Sequence, residues 1–333
     1  MSALGANVLT LADWAKRIDP DGKTPKIVEL LSQSNEILAD MLWKEGNLPT
    51  GERTTVRTGL PSVYWRLLNA GVQPSKSTTA QIDEGVGMLE AYSEVDKDLA
   101  ELNGNVSSFR LTEAQAFIEA MNQEMASTLF YGNSSTAPEE FNGLSIRYSS
   151  TSAGNGQNLI LGGGAGSDNS SIYLVVWGPQ TVHGIFPKGS KAGLQHEDLG
   201  LVTVETTAGI AGNRMRAYQD HWQWKCGIAL KDWRYVVRIP NIDISNLVGK
   251  SSAADLFDLM IKATHRIPNL GMGKPVFYMN RSCFQMLDIQ GRDDVISGGG
   301  LRHDMVEGKR LSSFRGIPVR ICDAITEAEG LVS

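Results

Sequence analysis

The glycine-rich segment 162–166 is the first place where this sequence could bind a phosphate. A phosphate-binding loop ends in Gly-Lys-Ser/Thr and leads into a helix, whose first amides then face the anion. Segment 162–166 lacks that ending, and in segment 271–275 the lysine is followed by Pro275, which blocks the helix. We therefore interpret both segments as loops and expect no nucleotide or other cofactor.

Histidines and carboxylates offer the next candidates for chemistry. His196-Glu197 resembles the start of a zinc-protease helix, but Gly200 stands where the second histidine is required. The histidines show no metal-ligand spacing with one another or with the cysteines, and no Gly-x-Ser-x-Gly elbow occurs. Adjacent acids such as Asp293-Asp294 are typical of a solvated surface. We expect no catalytic or metal site and no enzyme activity, although an enzyme with an unrecognised site stays open as an alternative.

Composition excludes several other classes of protein. The chain has 333 residues, of which 41% are hydrophobic, so it can bury a core and exceeds one average domain. It contains no apolar run of about 20 residues, so we expect no membrane span. Its net charge is −6 with scattered Lys and Arg, unlike proteins that grip nucleic acid phosphates. Three widely spaced cysteines are typical of a reducing compartment.

A long amphipathic helix is predicted over residues 112–131. Thr112 and Gln115 have the spacing of a capping box, which would start the helix. Apolar side chains then recur at helical spacing, at Ala114, Phe117, Ile118, Met121, Met125 and Leu129. Gly132 suits the left-handed residue that ends many helices.

The segment 46–87 is predicted to be an extended two-stranded ribbon. It is rich in Thr, Ser, Arg and Gly and alternates like a strand, but it holds too few apolar residues for a core. An isolated ribbon is at best marginally stable in water. We expect it to lie on a neighbouring subunit and to swing on hinges at Gly46, Gly51, Gly71, Gly85 and Gly87.

Around the ribbon, periodicity predicts further elements. An apolar stripe from Pro25 to Gly46 predicts a helix in an N-terminal arm, and Met88 to Leu102 suggests a second helical stretch. The Gly- and Ser-rich stretch 149–171 is expected to be a loop or mobile flap. Beyond it, strands are expected near 172–177, 182–186 and 274–279, and they alternate with helices, which indicates a mixed α/β or α+β region.

Four passages in this order carry a resemblance to a known family. They are Phe130–Asn133 with Pro138–Leu144, Trp177-Gly178 with Phe186–Gly189 and Asp198–Gly200, Trp224–Ile228 with Asp232–Ile242, and Met279–Arg281 with Phe314–Val319 and Cys322–Ile325. The sequence resembles the major capsid proteins of tailed phages with the Hong Kong 97-type fold, in their podophage-like branch.

The resemblance implies an α+β fold with a particular division of the chain. We expect an N-terminal arm at 1–45 and an extended β-hairpin loop at 46–87. A peripheral domain at 88–160 and 226–248 would contain the spine helix 112–131. A mixed α/β axial domain would comprise 161–225 and 249–333.

The resemblance also implies a function. The chain would be the coat protein of a tailed bacteriophage, assembling in the host cytoplasm into pentamers and hexamers of an icosahedral shell around double-stranded DNA. Implied partners are a portal protein, possible decoration or cement proteins, and a scaffolding protein. Because the chain begins almost at the arm, we expect that scaffold to be a separate protein. The alternative within this fold is an encapsulin-like nanocompartment shell that holds enzyme cargo.

Subunit contacts are expected at side chains of the arm and the ribbon. Exposed aromatic residues often anchor interfaces, and the candidates are Trp43, Tyr64, Trp65, Arg66 and Lys76. The namesake of the fold cross-links its subunits through a lysine in the extended loop. No motif here matches that reaction centre, so we predict no such cross-link for Lys76.

Overall fold

The computed structural model describes residues 33–102, 106–205, 214–250, 253–293, 301–306 and 309–333. The helices are α1 (Ile37–Asp40), α2 (Lys97–Glu101), α3 (Val106–Tyr131), α4 (Leu144–Arg147), α5 (Ile244–Gly249), α6 (Leu256–Arg266) and α7 (Arg281–Asp293). The strands are β1 (Trp43–Glu45), β2 (Gly51–Gly59), β3 (Thr78–Gly85), β4 (Gly87–Asp96), β5 (Asn169–Trp177), β6 (Val182–Phe186), β7 (Gln195–Glu205), β8 (Arg214–Leu230), β9 (Val236–Asp243), β10 (Lys274–Met279), β11 (Leu301–Val306), β12 (Lys309–Phe314) and β13 (Ile317–Ile321).

The chain forms two compact units. Among the described residues, the first unit contains 33–35, 88–127 and 193–225, and the second contains 36–87, 128–192 and the described part of 226–333. In the first unit, β7 and β8 pair antiparallel from Gln195↔Gln223 to Glu205↔Arg214, and β4 lies beside β8. Its small apolar cluster contains Val95, Ala100 and Phe109.

An ionic cluster accompanies that apolar cluster in the first unit. The Arg110 guanidinium donates to Asp198 at 2.6 Å and to Asp220 at 2.8 Å, and His196 Nε2 lies 2.9 Å from Asp220. The hydrogen bond from Arg110 holds the pKa of Asp198 below its usual value. His196, the candidate zinc ligand of the His196-Glu197 pair, thus shares the Asp220 carboxylate with Arg110.

The second unit is built on a sheet with β5 at its centre. Its strand order is β11-β12-β13-β10-β5-β6, followed by the end of β8, with β9 also paired to β5 and β1 beside β6. Every residue of β5 and β9 is buried, as expected for strands that are covered on both faces. One core cluster contains Ile172, Leu174 and Val176 of β5 together with apolar side chains of β9, β10, α6 and α7.

The C-terminal tail is fixed in the second unit by a buried ionic network. Glu329, 7% exposed, accepts from Arg238 Nη2 at 2.8 Å and from the Tyr131 hydroxyl at 2.5 Å, and also from Ser171 Oγ. Burial raises the pKa of Tyr131, so its hydroxyl keeps its proton and donates. Further along, the Asn241 side chain exchanges two hydrogen bonds with the backbone of Val332. Through Glu329, the tail therefore links the end of α3 to β5 and β9.

The long helix is confirmed and ends at Tyr131 as predicted, but its predicted start and the expected role of Gly132 were wrong. It begins at Val106, six residues before the predicted start, and the Thr112 hydroxyl donates to the Ser108 carbonyl one turn back, so no capping box forms at Thr112. Gly132 does not adopt a left-handed conformation. It is required because a Cβ there would lie 2.4 Å from the Phe141 carbonyl oxygen.

Two predicted helical stretches contain strands instead. Residues 87–96 form β4, whose burial alternates with period two, and only Lys97–Glu101 is helical. Of the predicted arm helix, only the single turn Ile37–Asp40 is helical among the described residues, and Trp43–Glu45 pairs in parallel with β6 instead. Residues 1–32, with the start of that predicted helix, lie outside the described residues. Sheet pairing overrode helical periodicity in both places.

Other predicted elements are confirmed. Strands were expected near 172–177, 182–186 and 274–279, and the structure has β5, β6 and β10 there. Asn280 caps α7 by accepting from the Cys283 amide at 2.8 Å. In the described part of the chain, no helix combines the length and apolarity needed to cross a membrane.

Glu329→Gln is expected to destabilise the chain by about 3–5 kcal/mol, because it leaves the buried Arg238 guanidinium without its counter-charge. The control is Arg281→Gln. Arg281 pairs with Asp323 at 2.8 Å but is 67% exposed, so its loss should cost at most about 1 kcal/mol. Urea unfolding followed by tryptophan fluorescence measures both changes. Equal effects of the two substitutions would contradict the role given to the tail.

Candidate functional site

The second unit carries a projecting hairpin, residues 51–85, which we call the hairpin arm. Its strands β2 and β3 pair from Gly51↔Gly85 to Gly59↔Thr78, with an irregularity between Arg57 and Gly59. These two strands form a separate sheet of their own. A two-stranded sheet needs packing against something else for stability, so the exposed surfaces of the arm are the first candidates for a binding site.

The two faces of the hairpin arm differ in chemistry. Directly paired residues share a face and successive residues alternate. One face therefore carries Thr54, Val56, Ala80 and Ile82. On the other, the Arg53 guanidinium donates to both oxygens of Asp83, at 2.6 and 2.7 Å. One side of the ribbon is thus partly apolar, and the other is polar and carries the Arg53–Asp83 ion pair.

The tip of the arm, residues 60–77, is the most exposed apolar surface of the described chain. It has no regular secondary structure, and the side chain of Trp65 is as exposed as in an extended peptide, at 104%. Its other exposed large apolar residues are Leu60, Val63, Tyr64, Leu67, Leu68 and Val72. A contiguous exposed apolar patch marks an interaction surface.

Local hydrogen bonds hold the backbone of the tip in a defined conformation. Ser75 Oγ donates to the Ser62 carbonyl at 2.7 Å, which bridges the two sides of the tip. The Ala70 amide donates to Leu67 at 3.1 Å in a turn that places Asn69 at φ 66°, a conformation that asparagine tolerates better than most residues. The exposed apolar side chains of the tip therefore project from a loop whose backbone conformation is fixed by hydrogen bonds.

At the opposite end, the base of the arm holds two buried carboxylates. Glu52 and Glu84 are direct partners in the ladder and are 4% and 8% exposed. Like charges directly opposite each other destabilise a ribbon, so each needs a cation. Arg147 of α4 supplies one, because both its terminal nitrogens lie 2.6 Å from the Glu84 oxygens in a bidentate pair.

Glu52 obtains its cation from another part of the unit. Its Oε1 lies 2.9 Å from Lys231 Nζ, just after β8, and its Oε2 lies 2.8 Å from Nε2 of His183 on β6. Burial raises the pKa of Glu52, but the hydrogen bonds from Lys231 and His183 outweigh it and leave the pKa below its usual value. Glu52 is therefore ionised at neutral pH.

The structure brings four of the five sequence-predicted contact residues together. Tyr64, Trp65, Arg66 and Lys76 all lie exposed in the tip. Trp43 lies elsewhere in the unit, half-buried, where a Cβ on Gly184 would come within 2.7 Å of its ring. Sequence reasoning missed the tip residues Leu60, Val63, Leu67 and Leu68, although their clustering in a polar segment was a readable signal. It also missed Glu52 and Glu84, whose burial no local pattern indicates.

The segments that were considered for other chemistry have structural roles. Gly162 and Gly164 donate backbone hydrogen bonds at 2.8 Å to Pro240 and Asn241, and a Cβ on either glycine would lie 2.7 Å from the Asn241 carbonyl oxygen. Glycine at these two positions thus permits close packing against the backbone of Asn241. Within the described ranges, no cluster of His, Cys, Asp and Glu could hold a metal ion.

Comparisons with known proteins identify relatives of the whole chain. A family model described as major capsid protein GP7 matches residues 19–333. The chain is similar to one in a solved structure of bacteriophage Epsilon15, with a TM-score of 0.80 and 31% identity over 100% of this chain and 99% of that one. A search of curated proteins found no match.

Two further solved structures are less similar to this chain. The capsid of a native GTA particle has a TM-score of 0.45 and 10% identity, over 71% of this chain and 99% of that one. The SrpI encapsulin complex from Synechococcus elongatus has a TM-score of 0.44 and 12% identity, over 70% of this chain and 96% of that one.

Gly51→Ala is expected to loosen the base of the hairpin arm by about 2–4 kcal/mol. Its Cβ would lie 1.9 Å from the Glu84 carbonyl oxygen, so the first ladder pair must separate. Gly85, its partner in the same pair, is the matched control, because a Cβ there meets nothing within 4 Å. Hydrogen exchange of the β2 and β3 amides measures both, and equal protection in the two variants would contradict this account of the base.

Proposed function

The chain belongs to the major capsid protein GP7 family, and we propose that its hairpin arm is the element that reaches over a neighbouring subunit of the shell. The protein is a coat protein of a tailed bacteriophage with the Hong Kong 97-type fold, and it self-assembles into the icosahedral capsid of the virion. Its role is structural. The nanocompartment alternative is set aside, because the family matched over nearly the whole chain is one of phage capsid proteins.

The exposed tip is the single observation that carries the proposal. Burying a large apolar side chain contributes about 1.5–3 kcal/mol, and the tip leaves Trp65 and Leu68 104% and 91% exposed. A second copy is the occupant that this protein always has available, since it assembles with itself. A tip that docks on the next copy also generates a repeating, heterologous contact that can close into a ring.

Within that contact we assign separate roles to the tip and the base. Tyr64 and Trp65 are the apolar anchors, while Arg66 and Lys76 form a charged rim around them. The buried base fixes the direction in which the arm leaves its own subunit. Trp43 lies outside the tip, on β1, where it pairs with Gly184 of β6. Each contact is modest, and the number of copies makes the shell stable.

The wider organisation follows from the same family relationship. We propose an N-terminal arm at 1–45, an extended loop at 46–87, a peripheral domain at 88–160 and 226–248, and an axial domain at 161–225 and 249–333 that meets its copies in pentamers and hexamers.

The proposed environment is that of a phage shell. Assembly would take place in the host cytoplasm with a scaffolding protein and a portal protein, and a decoration protein could bind the finished shell. The net charge of −6 suits a wall that encloses double-stranded DNA without gripping it.

Removing the arm should abolish assembly and leave the subunit folded. Replacing residues 56–80 by Asn-Gly joins Thr55 to Gln81, which are direct partners in the ladder, through a two-residue hairpin turn. The Glu52 and Glu84 anchors are retained. We expect native circular dichroism and no closed particles by negative-stain electron microscopy. Particles of normal yield and stability would refute the role of the arm.

A single side chain of the tip provides a finer test. Trp65→Ala should change the unfolding free energy of the unassembled subunit by at most about 0.5 kcal/mol, since the side chain is exposed there. At a docked interface the same truncation should cost about 2–4 kcal/mol per contact. Light scattering against protein concentration should then show a higher threshold for assembly.

Trp65→Phe is the control for this test, because it keeps an aromatic side chain in place and should assemble at nearly the wild-type threshold. If Trp65→Ala also assembles at the wild-type threshold, Trp65 is not an anchor.

A further inference from the structure

His183 lies at the base of the hairpin arm and is completely buried, with 0% of its surface exposed. Its Nε2 faces the Glu52 carboxylate at 2.8 Å. An ionised carboxylate can only accept, so the imidazole proton of the neutral ring must be on Nε2. Nδ1 is then a bare acceptor, and it has no hydrogen-bond partner among the described residues.

Three charged groups among the described residues lie close enough to this ring to act on its protonation. Glu52 comes from β2, Lys231 follows β8, and Lys44 comes from β1, with its Nζ 4.0 Å from Glu52. With the histidine neutral, one carboxylate faces two ammonium groups. A proton on Nδ1 would add a third positive charge, at a buried atom that has no acceptor to bond.

The base can accommodate such a proton only by exposing the ring to water. Exposure requires Glu52, and with it the first residues of β2, to move away from β6. The second anchor of the arm, the Arg147–Glu84 pair, contains no histidine. Protonation would therefore release one side of the base while the other side keeps the arm attached.

We propose that His183 is a proton-sensitive latch, which holds the base of the hairpin arm against its own subunit at neutral pH and releases it in mildly acidic solution. A change in arm angle would follow from this release. Its consequence for assembly rests on the function proposed above for the arm, whereas the latch itself does not.

The direction of the pH dependence follows from linkage. Burial lowers the pKa of His183, and Lys231 and Lys44 lower it further, while Glu52 raises it only partly back. A lowered pKa in the closed state means that the latch is fully effective above about pH 6.5. Closure then weakens by up to about tenfold per pH unit as the pH falls toward the closed-state pKa.

Glu52 titrates in a separate window. Its pKa is lowered in the closed state, so its contribution is lost only below about pH 4.5. The interval between these two limits therefore isolates His183.

The test is hydrogen exchange by mass spectrometry on the full-length protein at about pH 7.5 and pH 5.5, after correction for the intrinsic dependence of exchange on pH. We expect amides of residues 51–56 to lose protection about tenfold at the lower pH. Amides of β10, in the core of the same unit, should keep theirs. Unchanged protection at 51–56 in the wild type would overturn the proposal.

His183→Gln is the matched variant. The glutamine Nε2 can replace the histidine Nε2 as donor to Glu52, but it does not titrate. Protection at residues 51–56 should then be the same at both pH values. A loss as large as in the wild type would show that another group is responsible.

A second measurement needs no variant and covers the case in which His183→Gln does not fold. Deuterium exchange at the imidazole C2 carbon of His183 in the wild type reports both its protonation and its access to solvent. Relative to a free histidine at the same pH, we expect slow exchange at neutral pH and a rate that approaches the free value in step with the loss of protection at 51–56. Exchange at the rate of a free histidine at neutral pH would contradict a buried latch.

These experiments separate the latch from the proposed function. They read the base of the arm directly, in assembled or unassembled protein. A failed latch with intact dependence of assembly on Trp65 would leave the function of the arm standing. A working latch in a protein that assembles without its hairpin arm would support the latch and refute the function proposed for the arm.

Discussion

Two buried glutamates opposite each other at the base of the hairpin arm set the constraint on which its geometry depends. Glu52 and Glu84 would repel each other in an isolated ribbon. Each is instead bound by a cation from a different part of the unit, Lys231 after β8 and Arg147 of α4. The observed position of the hairpin arm therefore neutralises both carboxylates at once. An arm anchored by charge at its base can present an apolar tip at a defined distance.

The polarity and burial of the residues change along the hairpin arm in a way that suits assembly. Its base is polar and buried, its ladder is short of apolar residues, and its tip is apolar and exposed. A conventional domain places apolar residues inside and charges outside. The reversal suits a coat protein if, as proposed, the surface that covers the tip belongs to another copy. Stability then accumulates over many equivalent contacts, each weak enough to be corrected during assembly.

Sequence reasoning succeeded where local patterns and physical requirements coincide. The ribbon at 46–87 was predictable because it alternates yet lacks the apolar residues of a core, and β10 was predictable as a short apolar run between turn signals. The exposure of the aromatic residues of the tip was predictable because they interrupt a polar segment, while their role as subunit contacts stays a prediction. The resemblance carried by passages such as Trp224–Ile228 supplied the family, which composition alone could not.

The failures arose where long-range pairing decided the structure. Met88 and Tyr92 fit a helical spacing, yet their segment is a strand because β8 lies alongside it. Trp43 lies within the span of the predicted arm helix but pairs with Gly184 of β6. Burial of Glu52 depends on His183 and Lys231, which are far away in the chain, so no local signal marks it. The buried base of the hairpin arm therefore could not be predicted from the sequence, whereas its exposed tip could.

The central claim is that the tip of the hairpin arm is covered by a neighbouring copy of the chain. A cryo-electron microscopy reconstruction of the assembled shell tests it most directly, at a resolution that traces residues 60–77. The account predicts continuous density from the base through the tip, with Trp65 buried against an adjacent subunit. A tip that folds back onto its own subunit, or that projects into solvent away from every neighbour, would contradict it.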